Sequence, residues 1–229
     1  MTKAGNLFYA IAFVCFGILH FFSVLSFQPI AGPPWHPGRP LWAAVMGAFL
    51  LLVGIMLATK KMVQISSGLL AAVLFLYVVF RYIPGLLSHL HDPNRWTGAA
   101  ELTCLCGAAM VIAGLGSLGR YFYAIPLVVF SIQHFIFAQF IGGLIPAWIP
   151  SHLFWAYFVG AAFMAAAISI ATKGQGRLGA TLLGAMFLLW VIILHAPRVA
   201  MHLRDGNEWT SALIALAMSG GAWIVAGVL

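Results

Sequence analysis

Between Asn6 and Phe27 the chain carries no Lys, Arg, Asp or Glu. About 20 apolar residues in a helix cross the hydrocarbon core of a bilayer, and a helix satisfies its own backbone amides there. By the same rule the chain reads as eight spans, at 6–27, 41–58, 63–87, 97–118, 121–141, 152–171, 178–200 and 209–229. Charge counting removes the soluble alternative: 229 residues hold eleven Lys/Arg and four Asp/Glu, 7% in all. A soluble domain carries about a quarter charged residues. The expected fold class is all-α, a polytopic transmembrane helical bundle.

The gaps between spans carry turn chemistry, among them FQPIAGPPWHPGRP, TKK, HDPNR, GGLIPAWIP, TKGQGR and RDGNE. A tight turn at Gly119–Arg120 is expected between the fourth and fifth spans. The net charge of +7 sits in these gaps, which points to anionic lipid headgroups rather than nucleic acid. The first apolar run is too long for a signal-peptide core and is expected to stay as a span. Cys104 and Cys106, two apart on one helix, point to different sides and read as small apolar fillers.

The gaps also repeat themselves. HLHDPNRWT from His89 returns as HLRDGNEWT from His202. Trp42 and Trp155, Gly47 and Gly160, Pro84 and Pro197, and Trp96 and Trp209 are each 113 residues apart, while His20 and His134 are 114 apart. The expectation is two parallel four-helix repeats, 1–118 and 119–229, related by a pseudo-twofold axis along the membrane normal. One end gathers Lys3, Lys60, Lys61, Arg120, Lys173 and Arg177 with no acid; the other has Arg39, Arg81, Arg95, Arg198 and Arg204 with Asp92, Asp205 and Glu208. The Lys/Arg bias places both termini in the cytoplasm.

Ionisable residues inside spans mark function by default. His20, Arg81, Glu101, Gln133, His134, Gln139, His195 and Arg198 all fall in the half of the helices away from the termini. Within the repeated phrase, Asp92 before Pro93 reads as an N-cap with proline at the first helical position, and Asp205 with Glu208 reads as a capping box. Trp96 and Trp209 read as interface anchors. Capping leaves His89 and His202 unexplained. Arg81 and Glu101, on consecutive helices, read as an internal ion pair with Leu194 and Ile214 at the matching places. His20 and His134 carry two readings: neutral rings bonding neighbouring helices, or a matched pair that ligates haem or a metal or donates to a quinone carbonyl.

GILHFF, PPWHP, LWAAVMG and HDPNRWTGAAELTCLCGAAMVIAG in the first half, with SIQHFI, PAWIP, FWAYFVG and EWTSALIALAMSGGAWIVAG in the second, resemble the DoxX-like membrane proteins. The likeness covers nearly the whole chain as two copies, where typical members have one. Many of that family carry a Glu after the second-helix glycine, absent from GAFLLLVG and GAAFMAAAI here. The resemblance implies a four-helix unit in a quinone or redox setting.

Together these readings give an expected function: a redox-associated inner-membrane subunit whose outer crevice binds a quinone through His20, His134, Arg81, Glu101, His195, Arg198, His89 and His202. Its partners would be the lipid bilayer and a membrane or periplasmic redox protein, with a homo-oligomer also compatible. The other open class is a non-enzymatic scaffold or carrier of a small solute or lipid. No nucleophile–base pair or phosphate-binding loop points to an independent enzyme.

Overall fold

The computed structural model describes residues 2–26 and 39–229, and among them every regular element is helical. The Pro-Pro-Trp-His-Pro loop at 33–37 lies outside the described residues. In chain order the helices are α1 (Thr2–Ser26), α2 (Arg39–Ala58), α3 (Val63–Tyr77), α4 (Ile83–Ser88), α5 (Pro93–Ile112), α6 (Gly116–Ile136), α7 (Ala138–Leu144), α8 (His152–Thr172), α9 (Gly176–Trp190), α10 (Ala196–Met201) and α11 (Gly206–Ala226). Six helices are long and apolar enough to cross a membrane. They become seven if α6 and α7, which meet at 93°, form one broken span. The chain is an integral membrane protein.

Two of the long helices are composite. π-Helical turns at Val78–Tyr82 and Val191–His195 join α3 to α4 and α9 to α10. Each is followed by a proline, Pro84 or Pro197, whose ring clashes with the carbonyl four residues back and supplies no N–H. The wider turn accommodates the misfit: Ile83 N–H reaches back to the Val78 carbonyl and Ala196 N–H to that of Val191.

The interior is built around α5 and α11. Cys104 to Val111 are buried without a break, as are Ala217 to Ala222. A helix sheathed by protein does not need a lipid-compatible surface, which is how α5 accommodates Glu101. α1 packs on α2 and α11; α6 packs on α5 and α8; α3 lies on α5 and α9 on α11. Helices in lipid gain little from excluding water from one another, so close approach through small residues carries the association. A Cβ at Gly119 would sit 2.5 Å from the Gly107 carbonyl oxygen, and one at Gly220 would sit 2.6 Å from that of Gly5. These two contacts bring α5 against α6 and α1 against α11. Beside them the fully buried Tyr9 and Tyr123 donate to the carbonyls of Leu105, at 2.6 Å, and Met218, at 2.5 Å.

Three sequence expectations change. The turn between α5 and α6 is not at Gly119–Arg120 but at Ala113–Leu115, where Gly114 takes φ +95°. Gly119 lies inside α6 because its missing side chain admits α5, a use of glycine that sequence alone does not separate from turning. Arg120, expected in a loop, is 6% exposed; its Nη1 donates to the Ile170 and Ala171 carbonyls at the end of α8 while its guanidinium stacks over Tyr121. The span read as 121–141 ends at Ile136, before the bend into α7.

Candidate functional site

Asp92 and Asp205 cap α5 and α11 through the backbone N–H of Asn94 and Asn207. The indole N–H of Trp96 bonds the Leu90 carbonyl at 2.8 Å, and that of Trp209 bonds the Leu203 carbonyl at 3.0 Å. His89 and His202 follow the preceding helices, and their carbonyls accept from Asp92 and Asp205. The repeated phrase is therefore a self-bonded corner, and both histidines are exposed at it. Glu208 does not complete a capping box: it pairs with Arg198 at 2.8 Å. The carboxylate meets a full opposite charge on the guanidinium, which a backbone amide does not offer, and that pairing wins here.

His20 and His134 occupy equivalent backbone settings. The His20 ring nitrogen Nδ1 bonds the Phe16 carbonyl at 2.8 Å, and Nδ1 of His134 bonds that of Phe130 at 2.7 Å. Gly47 of α2 leaves room for the first and Gly160 of α8 for the second, where added Cβ atoms would lie 3.0 and 2.9 Å from the histidine Cβ atoms. His134 then packs edge-on against Phe163 and Trp190. His134 thus faces side chains of α8 and α9. No group of three metal-binding side chains occurs among the described residues.

The tautomer changes the expected chemistry. A carbonyl only accepts, so Nδ1 of each ring is the donor, and the neutral ring presents a lone pair at Nε2. Nε2 of His134 is buried with no partner, as is Nδ1 of His195. A neutral His134 therefore offers an acceptor, where the sequence reading had it donate to a carbonyl.

Arg81 and Glu101 do not form the expected ion pair. Among the described residues the acid–base pairs are Arg95–Asp92 and Arg198–Glu208. Tyr82 lies within electrostatic range of both Arg81 and Glu101, and its hydroxyl covers Gly98, where a Cβ would sit 2.5 Å away. Gln133 ties α6 to the start of α5 through Thr97 and the Pro93 carbonyl. Cys104 and Cys106 bond carbonyls on different helices, those of Tyr123 and Ala71, as expected of fillers.

Sequence reading missed an apolar groove on α8 and α9. A groove of about 1070 Å³ runs the length of α8 and α9, from Gln175 and Gly179 at one end to Ile145, Trp148 and Pro150 at the other. Alanines 161, 162, 165 and 166 form its floor, with Leu182, Met186 and Trp190 opposite. Small residues on α8 facing large ones on α9 keep the helices from closing along this side. Trp190 both lines the groove and touches His134; Leu194, at its far end, precedes His195. The run of alanines in FVGAAFMAAAI was the available signal.

No protein-family model matches the chain, and neither a curated protein nor a solved structure is similar to it.

Proposed function

We propose that the protein is a redox-associated membrane subunit of DoxX-like type that holds a quinone-class molecule in the groove between α8 and α9. The observation that carries this reading is the groove itself: long, almost wholly apolar, and lined by Trp190, whose ring packs on His134. An isoprenoid chain matches its length and chemistry. A buried acceptor left unmade costs about 1–3 kcal/mol, and a ligand hydroxyl near Trp190 would relieve it. With Nδ1–H committed to Phe130, neutral His134 suits the hydroxyl of a quinol, and the doubly protonated ring suits a quinone carbonyl. Bound there, the quinone would supply two-electron redox chemistry; His134 and His195 would supply its polar contacts.

The surrounding architecture in this reading is eight spans in two parallel four-helix units about a pseudo-twofold axis. Recurrence supports it: the π-turns, the Asp caps and the Trp–carbonyl bonds recur at 113 residues. The His–carbonyl bonds recur at 114. An inner bacterial membrane with both termini cytoplasmic is part of the same proposal, resting on the Lys/Arg distribution. A second reading, a lipid carrier without redox chemistry, is favoured by the same apolar lining, which suits an acyl chain equally well.

The test is to purify the protein, record its absorption spectrum and extract its lipids. An isoprenoid quinone is expected near one per chain, falling severalfold when Ala162→Phe fills the groove. Phospholipid alone in the wild-type extract selects the carrier, and an Ala162→Phe extract equal to wild type overturns the groove as the site.

A further inference from the structure

We propose that Arg81 and Arg95 form a binding site for the phosphate of an anionic phospholipid, on the face shared by α4 and α5. The argument begins with an inventory. The whole chain has four acids, Asp92, Glu101, Asp205 and Glu208. Asp205 caps α11, Glu208 is held by Arg198, and Asp92 both caps α5 and pairs with Arg95. Glu101 forms no ion pair among the described residues. Arg81 is therefore a cation with no protein anion, set seven residues, about 10 Å, before the end of a long apolar helix. A guanidinium at that depth is costly without a counter-charge.

The side chain is exposed but has a neighbour of like charge. A Cβ on Gly85 would lie 2.5 Å from Nη1 of Arg95 and 3.8 Å from Nη1 of Arg81, so the two guanidinium groups converge over a position that has no side chain. Like charges brought together with one carboxylate between them leave a net positive site. Their planar forks match phosphate oxygens. The equivalent place 113 residues on is closed: Leu194 replaces Arg81, Arg198 stands where Gly85 is, and Glu208, standing where Arg95 is, neutralises it. The occupant is a lipid because Phe80 and Leu87, beside the cluster, are 74% and 73% exposed and face acyl chains. Trp96, on the same corner, sets the headgroup level.

The full-length protein is reconstituted in phosphatidylcholine vesicles containing a minority of phosphatidylglycerol. It is then re-extracted in mild detergent and its retained lipids are counted by mass spectrometry. Wild type is expected to keep phosphatidylglycerol in preference to phosphatidylcholine. Arg81→Leu, which installs the side chain found at 194, is expected to lower that retention about fivefold or more. Gly85→Ala, which displaces Arg95, should act in the same direction with Arg81 intact. Retention unchanged by both variants overturns the site, as does a wild type with no preference.

Discussion

Trp96 and Trp209 each anchor a corner by one N–H, to Leu90 and Leu203. Phenylalanine keeps the ring and loses the donor, so Trp96→Phe or Trp209→Phe should cost about 1 kcal/mol, read as a lower thermal midpoint in detergent. At this scale the sequence was partly legible. Asp-Pro and Asp-Gly before a helix announce a cap because the side chain acts on amides two residues away, and both caps form as read. Glu208 shows the limit: its local partner was visible, but its actual partner, Arg198, lies ten residues back across a corner. Arg81 and Glu101 failed for the same reason, since nearness in depth does not reveal which way two side chains turn. The orphan Nε2 of His134 needed the ring's hydrogen bond to be seen.

Helix existence was legible from apolar length, while the role of each helix was not. Hydropathy reports what faces lipid. α5, sheathed by protein from Cys104 to Val111, is less apolar than the six helices able to cross a membrane. Glycine was ambiguous in the same way, since Gly114 turns the chain and Gly119, five residues on, packs it. That difference is testable: Gly119→Ala must push α6 from α5, because no Cβ rests 2.5 Å from a carbonyl oxygen. A loss of about 1–3 kcal/mol is expected in a denaturation series, whereas Gly116→Ala, with open space around it, should be near neutral. The groove was illegible for a related reason. An alanine-rich helix face reads as a packing face, and only coordinates show that α9 does not close on it.

The 113-residue spacing was the most informative feature for the molecule as a whole, because it pairs positions across the chain. It did not reveal how the two halves interlock. α1 of the first half packs on α11 of the second, and α6 of the second on α5 of the first. A chain cut at Ala113–Leu115 should therefore give two fragments that co-purify when co-expressed, each unstable in detergent alone. Fragments that are stable and separate would show that these seams contribute little.

The Gly5–Gly220 contact has a bearing on biogenesis. α1 docks against α11, so α1 must persist in the bilayer while every helix between them is synthesised, without one of its packing faces covered. A premature stop before α11 would strand it, leaving the nascent protein a substrate for membrane quality-control proteases rather than a smaller working version of itself.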